Sequence, residues 1–181
     1  MTVPQSELVS ALEKPDAYDF SPKEIDLRET PTSYLFKAGK FMYKVKKLGN
    51  EYATLAIKEA FCHEECRLSQ RFNPNLYLEV LPIMEKNGKI KVDGKEGIPI
   101  EYTLKMEALP EQNLLLELLK KDKVSEKQVS RIATRIAEIH SESPAKDKIA
   151  ETGKSEAFRA LCDDMLFQMK RYFDASLTQP I

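Results

Sequence analysis

A chain of 181 residues, 42% hydrophobic and 31% charged with a net charge of −1, is long enough to bury a core and too apolar to be disordered throughout. The near-balance of charge argues against a dedicated nucleic-acid binder, which would carry a basic surplus. No stretch approaches the roughly 18 consecutive apolar residues of a membrane span, and Met1 to Leu12 lacks the basic start and apolar run of a secretory signal.

Residues 6–12 read as a short helix, which Lys14-Pro15-Asp16 breaks; the stretch to Pro31 reads as irregular and polar. Residues 33–37 and 41–47 have strand character, with Ala38-Gly39-Lys40 as the turn between them. Residues 52–72 predict a helix of five to six turns, stopped by Asn73-Pro74-Asn75. On it Phe61, Glu65, Leu68 and Phe72 share one face, which the pattern assigns to the core. Further strands fall at 77–84, 90–92 and 98–106, the first two joined by Lys86-Asn87-Gly88-Lys89. About five short, mostly antiparallel strands result.

After Leu109-Pro110-Glu111 the pattern is helical throughout. Residues 113–121 predict one helix. Ser125 opens a second, with Gln128 placed three residues on as in a capping box. Val129, Ile132, Ala133, Ile136, Ala137 and His140 form its apolar stripe, which makes His140 a hydrogen-bonded core or boundary residue. A third helix is expected over 155–173. This is an α+β chain, with strands and one long helix first and helices only after a seam near Pro110.

Three cysteines, Cys62, Cys66 and Cys162, are an odd number in a chain that needs no staples, and read as reduced thiols in a cytoplasmic setting. Cys62-His63 with Cys66 one helical turn on invites a metal reading. Zinc wants four ligands, however, and Cys162 and His140 would have to fold back to complete the set. Packing thiols are the simpler account. The run Lys120-Lys121-Asp122-Lys123 is interrupted by an acid and suits a solvated helix C-terminus better than a nucleic-acid site.

The pair with most chemical content lies in the β half. Lys44 and Lys46 share one face of a strand, because strand side chains alternate. Glu65 on the next helix faces the core in this reading, and a carboxylate there needs a partner. A lysine held by a glutamate and aimed into a cleft is a common grip on ATP phosphates. Spacing alone favours a plainer alternative, with both lysines as solvent-facing edge charges and Glu65 on the helix rim.

Several stretches together resemble the start of the aminoglycoside-phosphotransferase-like kinases, some members of which are fused to a P-loop ATPase. They are Glu29-Thr30-Pro31-Thr32-Ser33-Tyr34, Phe41-Met42-Tyr43-Lys44-Val45-Lys46-Lys47, Phe61-Cys62-His63-Glu64-Glu65-Cys66-Arg67-Leu68-Ser69, Asn75 to Ile83, Ile100 to Met106 and Ile136-Ala137-Glu138-Ile139-His140. The likeness covers roughly residues 8–140, and order and spacing carry it rather than any one motif.

The resemblance implies a protein-kinase-like small lobe over 31–108, after a lead-in over 1–30 and before the helical start of a large lobe over 109–181. It implies ATP with Mg²⁺, a bacterial cytoplasmic setting, and transfer to the hydroxyl of a small molecule. Lys44, or Lys46 in its place, would contact phosphate, and Glu65, or Glu64, would hold that lysine. Thr32 and Ser33 sit where a phosphate-covering turn falls, here without glycine, and Met106-Glu107-Ala108 sits where a hinge reads the adenine edge. The family's catalytic Asp and Mg²⁺ ligands have no counterpart: His140-Ser141-Glu142 lacks a following Asp, and Asp163-Asp164 lies within a predicted helix. The chain is expected to stop short of the catalytic loop. The competing expectations are a non-catalytic nucleotide-binding module, with a homodimer or another partner covering the Val129 to Ala137 stripe, and an α+β protein with no nucleotide.

Overall fold

The computed structural model describes residues 3–47, 54–143, 151 and 153–169. Its chain forms two compact units, Met1–Ile136 and Ala137–Ile181, so the composition seam near Pro110 lies inside the first.

Unit one is α+β. Helix α1 (Gln5–Leu12) precedes a short 3-10 turn at Pro15–Ala17. Strands β1 (Ile25–Glu29), β2 (Ser33–Ala38) and β3 (Phe41–Lys46) follow, then helix α2 (Leu55–Gln70). Strands β4 (Tyr77–Lys86), β5 (Lys89–Val92) and β6 (Ile98–Glu107) complete a six-stranded sheet of order β1-β2-β3-β6-β4-β5. Every neighbouring pair is antiparallel.

Local chemistry explains the hairpins. Asn87 and Gly88 have φ of 52° and 77°, the two left-handed positions of a type I′ turn, and Lys86 pairs with Lys89 across it. The β3 to β4 connection runs through α2 and leaves room for β6 to insert between those strands. Strand β1 lies in the stretch that the sequence predicts to be irregular. Its sequence Ile-Asp-Leu-Arg-Glu is short, alternating and charged, the signature of an edge strand that resists further pairing.

One face of the sheet carries the core. Leu8 and Leu12 from α1, with Ala17 and Tyr18, pack on Phe36, Ala38, Tyr43, Val45, Leu81, Ile83, Ile90 and Val92. The Tyr18 and Tyr43 rings lie 5.0 Å apart, and the Tyr18 hydroxyl donates to Leu12 O at 2.8 Å. Burial raises the pKa of both tyrosines, that of Tyr43 to about 12 with Asp19, Glu79 and Asp93 adding to it. Both therefore stay neutral at physiological pH. Because side chains alternate, Lys44 and Lys46 point to the opposite face from Tyr43 and Val45, toward α2.

The packed face of α2 is rotated from the predicted one: Glu65 does face the sheet, but the apolar residues grouped with it do not. Cys62 and Cys66 are its buried residues, whereas Phe61, Leu68 and Phe72 are 47%, 41% and 51% exposed. The side turned to the sheet runs Leu55, Lys58, Glu59, Cys62, Glu65, Cys66 and Ser69, at helical spacing. A row of small and ionic side chains packs there because strands β3 and β6 meet it with charges and carbonyl groups.

Beyond β6 a 3-10 turn at Glu111–Asn113 leads to α3 (Leu115–Lys120) and α4 (Glu126–Ser141). The capping box is present: the Ser125 amide donates to Gln128 Oε1 at 2.8 Å, and the Gln128 amide to Ser125 Oγ at 3.3 Å. Val129, Ile132 and Ile136 are exposed, so the expected stripe is surface. Position 139 is the buried one on α4, and His140 is exposed, contrary to its reading as a core or boundary residue, because it lies one position round the helix from that face. The second unit contains the C-terminal end of α4 and helix α5 (Ser155–Met169); the predicted continuation of α5 to 173 lies outside the described residues.

Candidate functional site

The site is built where β3 meets α2. Glu65 binds both lysines: Lys44 Nζ lies 2.5 Å from Oε1 and Lys46 Nζ 2.9 Å from Oε2. All three side chains are half-buried. The sequence left Lys44 and Lys46 as alternatives, and the fold uses both. It also separates Glu65 from Glu64, which is exposed and pairs instead with Arg67 one turn along.

Burial disfavours ionised Glu65, but hydrogen bonds and charge from Lys44 and Lys46 together outweigh it and hold the carboxyl below its ordinary value of 4.5. A depressed carboxylate contributes stability that is complete above that ordinary value and disappears as pH falls through the lower folded value. The stability gap between wild type and Glu65→Gln is therefore expected to narrow below pH 4.5, as read from urea midpoints at stepped pH.

A second ion pair lies beside the first. Lys58 of α2 binds Glu101 Oε2, and Glu101 Oε1 accepts the Tyr102 amide at 3.0 Å. The β3–β6 ladder ends at Lys44 and Leu104, and beyond it the Thr103 hydroxyl donates to Lys44 O at 3.1 Å. Cys62 sits between the two ion pairs along the helix, its Sγ 3.9 Å from Tyr102 O. Burial, then the charges of Glu101 and Glu65, push its thiol up to about 11, with Lys46 and Lys44 offsetting part of the rise. That thiol is inert packing, not a nucleophile. Among the described residues no group of three or more His, Cys, Asp or Glu could hold a metal, and all three cysteines are free.

Lys44, Lys46 and Lys58 pair with Glu65 and Glu101 on one helix face, which also carries Glu59, so the charges on that face balance. Sequence reasoning missed Lys58 and Glu101. The available signal was periodicity: Lys58 precedes Glu65 by seven residues, two turns, and so shares its face.

The other expected positions fare differently. Thr32 is exposed and its carbonyl accepts the Lys47 amide at 2.9 Å. Ser33 is fully buried, the cross-strand partner of Lys46, and its amide donates to Thr30 Oγ1 at 2.9 Å. Its hydroxyl is therefore not displayed on a phosphate-covering turn, because the Ser33 position already belongs to β2. At the expected hinge the Glu107 amide donates to Leu76 O at 2.9 Å and the Ala108 amide to Lys40 O at 2.8 Å. Those two donors are engaged within the sheet and do not face a base edge. Met106 pairs with Met42 and Tyr77 in the ladders on either side.

Comparison with protein-family models, curated proteins and solved structures finds no match to this chain.

Proposed function

We propose that this chain is the ATP-binding portion of an aminoglycoside-phosphotransferase-like small-molecule kinase, with Lys44 and Lys46 as the phosphate grip and Glu65 as the group that holds them. The observation that carries the reading is the sharing of one half-buried carboxylate by two strand lysines. One negative charge between two ammonium groups leaves a net positive site, and partial burial lowers the screening there. Such a site favours an anion with several oxygens, and a helix glutamate that fixes a strand lysine is the arrangement kinases use on ATP phosphates.

Mg²⁺ would supply charge neutralisation on the phosphates, but the cluster does not fit it. Glu65 and Glu101 are already committed to lysines, and Glu59 is hydrogen-bonded to the Tyr102 side chain. No step is therefore assigned to the metal in this chain. The acceptor would be the hydroxyl of a small molecule.

Thermal unfolding with and without millimolar MgATP tests the reading. A ligand that binds only the folded state stabilises it, by about 2.7 kcal/mol at a hundredfold excess over Kd. The wild type is expected to gain in Tm, and Lys44→Ala with Lys46→Ala to lose most of that gain. A wild-type Tm indifferent to MgATP would sink the proposal and leave an α+β protein without nucleotide.

A second reading, a non-catalytic nucleotide-binding or interaction module that assembles with itself or a partner, draws on the exposed apolar rows. Ile57 and Leu68 on α2, Phe72 just beyond it, and Val129, Ile132 and Ile136 on α4 are all exposed. Exposed apolar rows of this kind commonly mark association surfaces. Light scattering on the same samples separates the two, since this reading requires a dimer or a captured partner.

A further inference from the structure

We propose that the Lys58–Glu101 ion pair is a positioning contact that sets the rotation of α2 on the sheet and thereby places Glu65 between Lys44 and Lys46. The starting point is that apolar burial does not select the observed rotation. The large apolar residues of α2 lie outward, and the side on the sheet carries Lys58, Glu59, Cys62, Glu65 and Cys66. Burial alone would favour a rotation that brings Ile57, Phe61 and Leu68 toward the sheet. Directional polar contacts must therefore choose the rotation.

Of the ion pairs on α2, Lys58–Glu101 is the most enclosed, with side chains 15% and 4% exposed against 23% for Glu65. It is also the most constrained. One Glu101 oxygen takes Lys58 and the other accepts the Tyr102 backbone amide, so the carboxylate is tied to β6 itself. Lys58 and Glu65 are two turns apart, about 10 Å along the axis, on a rigid helix. A rotation at one is a rotation at the other. In some proteins a buried polar group fixes register while adding little net stability. Here the register that matters is the seat of Glu65.

The test is the double variant Lys58→Met/Glu101→Leu. Replacing a buried ion pair by apolar residues of similar volume is often neutral for stability, so this variant should fold. Two readouts are taken on it: the Glu65 carboxyl titration by carbon-detected NMR, and the MgATP-induced Tm gain. The expected result is an unfolding midpoint near wild type, a Glu65 pKa moved up toward its ordinary 4.5, and a MgATP gain reduced several-fold. A Glu65 titration unchanged from wild type overturns the proposal.

Should the double variant not fold, Glu101→Gln decides by sign. Removing a nearby negative charge without moving α2 would lower the Glu65 pKa further, whereas losing its seat between the lysines would raise it. A rise supports the proposal and a fall overturns it. The second readout rests on the nucleotide reading and the first does not. A wild type with no MgATP gain would end that reading, and the Glu65 titration would still decide the positioning role.

Discussion

Phe36→Ala is expected to cost about 3–5 kcal/mol, enough to leave the protein largely unfolded near body temperature. Phe36 is fully buried in β2, pairs across the ladder with Tyr43, and lies in the cluster that joins α1 to the sheet. Removing its ring deletes the transfer free energy of a large side chain and leaves a cavity between strands whose ladder hydrogen bonds resist collapse. Urea unfolding followed by circular dichroism measures it. A cost under about 1 kcal/mol would show that α1 and β2 do not share the core described above. Leu35, the next residue in β2, points to the other face, and its substitution by Ala should cost less because it is only half-buried.

Glu101→Leu alone should destabilise by about 3–5 kcal/mol, whereas Lys58→Met/Glu101→Leu should lie near wild type. The single change leaves the Lys58 ammonium, itself 15% exposed, without its carboxylate and frees the Tyr102 amide from its acceptor. The double change removes both charges, and with them the desolvation penalty that made the pair necessary. Unfolding free energies of the two single variants and the double form a thermodynamic cycle whose coupling term is the quantity of interest. A coupling near zero would mean that Lys58 finds solvent as soon as Glu101 is gone, and that the pair does not hold α2 on β6.

The MgATP and Glu65 experiments bear on function, and these two on architecture. They meet at α2. Its sheet-facing side carries the chemistry of the candidate site, and its outward side carries the apolar residues that an ordinary amphipathic helix would bury.

Much of the frame was legible from residues alone. Asn87-Gly88 marks a two-residue hairpin because both positions need positive φ. Ser125 with Gln128 marks a helix start because each satisfies the other's amide. Strands β2 through β6 and helices α1 through α5 all fall within or close to their predicted spans, since each is specified by contacts a few residues apart. The pairing of Glu65 with strand lysines was also in reach, because a carboxylate on a packed helix needs a cation.

What only the tertiary structure decided is which way those elements face. A helix with apolar residues on one side and small or ionic residues on the other has the same periodicity whichever side is packed. Phe61, Leu68 and Phe72 therefore read as core though they are exposed, while the reading of Cys62 and Cys66 as packing thiols agrees with their burial. The same holds for the Lys58–Glu101 pair, whose members are 43 residues apart, and for the Glu107 and Ala108 amides, engaged by carbonyls of Leu76 and Lys40. Local pattern determined the elements of this protein because propensity, caps and turns act over a few residues. The seat of α2 and the composition of the charged cluster were decided by which strand lay opposite, and that depends on β6 inserting between β3 and β4.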